Sequence, residues 1–186
     1  MLVLAALQTL VVSAAKPPPP PAPQNPNFIV TIDQLDEHWD NDFYCADVTG
    51  DVVTAGVPLQ AHTCKEPNND ELFETNAPLP GQIWVSDHRM CLALAFAGKG
   101  SLKLVVVEPC DMKGLDPDQL WQSTPDGQIH PQSDGSLCWV IGDEPGVEHG
   151  GGGDHLNKTL SVDTCKDHDP IYTQFHMGRG FVGTPP

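Results

Sequence analysis

Six cysteines carry the most legible chemistry in this chain. Cys45 and Cys64 stand 19 positions apart, Cys91 and Cys110 again 19, and Cys138 and Cys165 stand 27 apart. Thiols so placed either form disulfides, in an oxidising compartment, or bind a soft metal. No Cys-x-x-Cys pair exists and the cysteines are spread evenly, which disfavours zinc. Neighbour pairing closes loops of similar length, so the spacing predicts Cys45–Cys64, Cys91–Cys110 and Cys138–Cys165. Asp47, His62, Asp70 and Glu71 fall in one stretch and can be drawn as an acid/base set. No nucleophile motif or separate catalytic region accompanies them, and an enzyme is not expected. Glu148, His149, Asp154 and His155 have metal-ligand chemistry, but Gly150–Gly153 between them hold no ligand geometry. That segment reads as a loose surface insertion, and neither metal nor cofactor is expected. Asn157-Lys158-Thr159 is a glycosylation sequon, expected on an exposed loop.

The cysteine pairs mark a repeated unit. Cys45 recurs 46 positions on as Cys91, and Cys91 recurs 47 positions on as Cys138. In the first unit, Asp70-Glu71-Leu72-Phe73 is followed by Gly81-Gln82-Ile83. The second has Asp118-Gln119-Leu120-Trp121 and Gly127-Gln128-Ile129, and the third Asp169-Pro170-Ile171-Tyr172 and Gly180-Phe181-Val182. Short apolar runs with period-two alternation, as at Val57, Leu59 and Ala61, separated by Gly, Pro, Asn and Asp, indicate all-β structure. Four strands per unit in three units describe a β-trefoil, a six-stranded barrel closed by three hairpins, spanning residues 43–186. Phe73, Trp121 and Tyr172 then form a core layer rather than an aromatic ligand box. Residues 28–42 read as an N-terminal extension. Phe28–Ile32 is expected as a strand beside the first repeat, and Asp33–Asn41 as a short acidic turn or helix anchored by Trp39.

At 186 residues and a net charge of −16, the chain is one domain with an extension and suits neither nucleic acid nor an anionic membrane surface. Met1–Ala15 reads as a signal peptide, with an apolar run to Val12 and small residues Ser13-Ala14-Ala15, although its start lacks basic side chains. No later run is apolar for the ~18 residues a membrane span needs. A secreted protein is expected. Lys16–Asn27, with Pro17–Pro21, Pro23 and Pro26, reads as a polyproline II spacer; a ligand for a proline-reading domain is the sharper alternative.

The Cys-x-Asp start at Cys45, the strand ending in a second cysteine, Asp-Gln-x-Trp at Asp118–Trp121 and Gly-Gln-Ile resemble the ricin-type β-trefoil lectins. The likeness covers Phe43 to about Gly183. It implies a shallow sugar pocket in each repeat. An Asp two places after the first cysteine takes paired hydroxyls, and a side chain two places before the second lies against the ring. A polar residue two places earlier and an Asn/Gln pair before the core aromatic complete the set. Sugars expose vicinal hydroxyls and an apolar C–H face, so a carboxylate fork with a flat platform suits them. In the first repeat the resemblance implies Asp47, Gln60, His62, Asp70 and Glu71. Asp70 and Glu71 replace amides with pure acceptors. The second repeat offers Ala93, Val106, Glu108, Asp118 and Gln119; the third offers Val140, Ser161, Asp163, Asp169 and Pro170. Without the carboxylate at 93 and 140, both pockets are expected to be inactive. The expected ligand is a neutral glycan, galactose-type or from a cell wall. The alternatives are that Asp47 only ties down the turn at Thr49-Gly50-Asp51, and that the trefoil is a structural or inhibitor-like module for a protein partner.

Overall fold

Short alternating strands around each cysteine pair build a closed barrel. The computed structural model describes residues 28–31, 35, 43–64, 72–85, 88–97, 102–148 and 156–178. The expectations for the leader, the proline-rich spacer, most of 32–42, Asp70, Glu71, Gly150–Gly153 and Gly180–Val182 lie outside those residues. The described strands run β1 (Phe28–Thr31), β2 (Tyr44–Val48), β3 (Leu59–Thr63), β4 (Phe73–Thr75), β5 (Ile83–Val85), β6 (Met90–Phe96) and β7 (Lys103–Pro109). They continue with β8 (Trp121–Ser123), β9 (Ile129–Pro131), β10 (Leu137–Ile141), β11 (Val147–Glu148), β12 (Leu156–Thr164) and β13 (Phe175–Gly178).

Threefold order is visible in the pairing. The cysteine-bearing hairpins are β2–β3, β6–β7 and β10–β12, all antiparallel. The capping pairs are β4–β5, β8–β9 and β13–β1. Around the axis, the start of β12 pairs with β3 and the start of β7 pairs with β12. The chain before β3 closes the ring on β7, through Gly56 N to Val107 O (2.8 Å) and Val107 N to Val57 O (2.9 Å). β11 is an addition on the edge of β12.

Phe28–Thr31 is a strand beside the first repeat, as expected, and it is also half of the third capping pair. β1 pairs along its length with β13 and through Val30↔Cys45 with β2. Met177↔Ile29 repeats the registers Thr75↔Ile83 and Ser123↔Ile129, so Ile29, Ile83 and Ile129 hold one symmetric position. All three are buried. β1 therefore takes part in the third cap, in the slot expected for Gly180–Val182.

The same registers correct the core aromatic of the third repeat. Phe175 faces Thr31 as Phe73 faces Val85 and Trp121 faces Pro131. Tyr172 instead ends a 3-10 turn, Pro170–Tyr172, and is half-buried. The positions following the first cysteines are Ala46, Leu92 and Trp139, all buried. Trp139 is much the largest and stacks edge-on against Trp121 (5.5 Å, 83°) and Phe175 (5.9 Å, 80°), filling space the smaller residues leave.

Two of the three expected disulfides are formed, Cys45–Cys64 and Cys91–Cys110. Cys138 and Cys165 are thiols. Burial, then a hydrogen bond with Cys165, pushes the Cys138 thiol upward from its ordinary value. Cys165 Sγ also lies 3.8 Å from His130 Nδ1.

Candidate functional site

Strand pairing gathers the first-repeat residues on one face. Asp47 stands opposite Gln60, and Cys45 opposite His62, so period-two alternation puts all four on the side away from the Ala46–Ala61 core row. Gln60 Nε2 donates to Asp47 Oδ2 at 3.1 Å. Asp47 is fully buried, at 0% exposure, and His62 is 8% exposed. His62 Nδ1 lies 2.7 Å from Thr63 O; a carbonyl only accepts, so this nitrogen carries the proton.

The burial of Asp47 changes the expected geometry. A carboxylate forking onto vicinal hydroxyls presents both oxygens outward, whereas here one is committed to Gln60 and the group is enclosed. Gln60 is partly exposed and carries the outward part of the pair. After Asp47 the chain turns at Thr49-Gly50-Asp51, with Thr49 N donating to Pro58 O at 3.1 Å and Gly50 at φ +76°.

The third repeat contributes two residues that spacing did not reveal. Asn157 stands opposite His62 and Thr159 opposite Gln60, extending both rows across β12. Asn157 is partly buried and its Oδ1 is enclosed without a hydrogen-bond partner. Thr159 Oγ1 donates to Glu144 Oε1 at 3.1 Å. The sequon thus lies in a strand paired on both sides, not on the expected exposed loop. Only the registers of β12 bring it here, and a tripeptide motif contains nothing about register.

The second and third repeats lack this arrangement. Ala93 and Val106 are buried and apolar, and Glu108 faces Cys91. Gln119 is buried and structural. Its Oε1 accepts from Asp111 N (2.8 Å) and Gln82 Nε2 (3.3 Å), while its Nε2 donates to Pro109 O (2.9 Å). Asp118 N is held by Asp116 Oδ1 at 3.0 Å. In the third repeat Val140 is buried and Asp163 is exposed. Asp163 accepts from Thr164 N (2.7 Å) and lies 3.3 Å from His168 Nε2, contacts that hold its carboxyl below the usual range. Because Phe175 is the core aromatic, the pair before it is Tyr172-Thr173; Asp169 instead caps the 3-10 turn through Ile171 N at 3.1 Å. No cluster of three or more metal-ligating side chains occurs among the described residues.

No family model matches the sequence, and no curated protein matches it. Solved structures do. The C-terminal half of an earthworm R-type lectin, in complex with GalNAc, matches at TM-score 0.53 and 15% identity over 84% of this chain and 99% of that one. A mutant of the earthworm lectin C-terminal domain, with 6'-sialyllactose, matches at 0.54 and 14% over 83% and 99%. The β-trefoil lectin of Vibrio vulnificus hemolysin/cytolysin, with N-acetyl-D-lactosamine, matches at 0.52 and 14% over 87% and 100%. At such identities the likeness speaks for the fold: the chain is an all-β trefoil of the architecture these lectins share.

Proposed function

We propose that this protein is a secreted, non-enzymatic carbohydrate-binding trefoil with one sugar site, in the first repeat. The observation that carries this is the polar patch Asp47–Gln60–His62, with Asn157 and Thr159 alongside, where the other repeats place Ala93–Val106 and Val140–Ser161. Gln60 offers an amide oriented by the Asp47 carboxylate, and His62 supplies a flat ring; Asp70 and Glu71 complete the set carried over by resemblance. That three structural neighbours were solved with sugars supports the class of ligand. A net charge of −16 favours a neutral galactose-type or cell-wall glycan over the sialylated one of the earthworm mutant complex. A single shallow site binds weakly, and useful strength needs several chains on a surface.

A glycan array with the whole protein tests this. Binding to neutral glycans, lost in Asp47→Ala while Asp118→Ala binds as wild type, is the expected result. Removing the carboxylate takes away the acceptor that orients Gln60, and about tenfold weaker binding is enough to erase a weak site. Equal binding by wild type and Asp47→Ala would dismiss the first-repeat pocket. An array with no signal would favour a module that binds a protein partner.

A further inference from the structure

A cavity lies away from the cysteine-bearing hairpins, where the capping pairs β4–β5 and β8–β9 meet β13. Its volume is about 480 Å³, within the range of roughly 300–1,000 Å³ usual for small-molecule sites. Thr75, Ser123 and Met177, which share one symmetric position, all line it, so it opens near the pseudo-threefold axis.

The lining is of two kinds. Ile83, Ile129 and Trp121 are buried and give an apolar floor. Above it stand amides already held in fixed orientations. Asn76 Oδ1 accepts from Gly81 N at 3.1 Å, which leaves its NH2 group as a donor. Gln132 Nε2 donates to Trp121 O at 3.1 Å, which leaves its Oε1 as an acceptor. Gly81 is at φ +85°, a backbone conformation that favours glycine, and a Cβ there would lie 2.5 Å from Gln132 Nε2 and push that amide from its place. In a chain of net charge −16, no charged side chain lines this cavity among the described residues.

We propose that this cavity is a second binding site, for a single neutral hydroxylated ring such as one unsubstituted sugar residue. The chemistry selects that class. A positioned donor and a positioned acceptor satisfy adjacent hydroxyls, which both give and take hydrogen bonds, and the apolar floor accepts a C–H face. An ionised ligand finds no counter-charge here, and a wholly apolar one would strand both amides. The site does not depend on the first-repeat reading, because it shares no residue with Asp47, Gln60 or His62.

Methyl-labelled protein, titrated with a panel of neutral monosaccharides to high millimolar concentration, tests the proposal by NMR. The Met177 and Ile129 methyl signals should move and saturate in wild type and in Asp47→Ala alike. Ser123→Trp, at an exposed position on the rim, should abolish the shifts. Gln132→Ala should weaken the apparent affinity about fivefold, the loss expected for one hydrogen bond, and it serves should the larger substitution disturb the hairpin. Met177 signals that do not move with any sugar, or shifts that persist unchanged in both rim variants, would overturn the site. The His62 ring signals report separately on the first repeat, so failure of either site is distinguishable from failure of the other.

Discussion

Gln119 does more for this fold than for any ligand. It joins the Asp111 amide, the Pro109 carbonyl and the Gln82 side chain in a buried cluster. Gln119→Ala would strand those groups without water. A cost of about 2–4 kcal/mol is expected, against less than about 0.5 kcal/mol for the half-buried neighbour in Asp118→Ala; urea denaturation of the two variants measures the difference. The Gln-x-Trp motif was legible in the sequence, but the structural task of its glutamine was not, because its partners lie on two separate segments, at Gln82 and at Pro109–Asp111. The third cysteine pair belongs at the same scale. Cys165 N donates to Ser136 O at 3.0 Å, as Cys64 N donates to Phe43 O at 3.0 Å in the bridged first repeat. Matching backbone frames mean that oxidation should close Cys138–Cys165 and add about 3 kcal/mol of stability. Peptide mapping without reductant, before and after oxidant, checks it; thiols that survive at both positions would show that the frame alone does not suffice.

Among the elements, the place of β1 in the third cap departs most from the sequence reading. Its residues are the aromatic and β-branched kinds that strands favour, but no Gly-Gln precedes Ile29, and Cys45 follows 16 positions later instead of the 8 and 9 that separate Ile83 from Cys91 and Ile129 from Cys138. The interruption hid its kinship with β5 and β9. Counting from the second cysteine, by contrast, would have found Phe175. Phe73, Trp121 and Phe175 lie 9, 11 and 10 positions after Cys64, Cys110 and Cys165, while Tyr172 lies only 7 after. Ile29 has 0% exposure, as does Ile129. Ile29→Ala should therefore cost about 2–5 kcal/mol, the range for truncating a buried aliphatic side chain, and should match Ile129→Ala. Chemical denaturation gives both values. A cost under about 1 kcal/mol for Ile29→Ala would mean that β1 only rests against the barrel.

Across the whole molecule, negative charge is held by surface turns. Asp111 accepts from the backbone of Lys113 and Asp116, Asp134 is bonded to Ser136, and Asp126 to the Thr124 side chain; each carboxyl is held below its usual value. Asp163 joins them through Thr164. A carboxylate whose pKa is lower in the folded state stabilises it above the unfolded value and loses that contribution as pH falls through the folded one. Thermal stability should thus decline as pH falls below 3.8, the ordinary value, and Asp111→Asn should flatten part of the decline. Melting curves across pH 2–5 record it, and a profile identical to wild type would remove Asp111 from the account. The threefold plan was readable from spacing because every repeat needs the same inward side chains. The β1–β13 cap was not, because it joins residues near opposite ends of the described chain. That pairing has a consequence for the order in which the protein is made. β1 leaves the ribosome before every other described strand, and its full-length partner β13 leaves after them all. Until Phe175–Gly178 emerges, Phe28–Thr31 must wait with its edge unsatisfied, so the nascent chain carries an exposed strand while all the strands between are made.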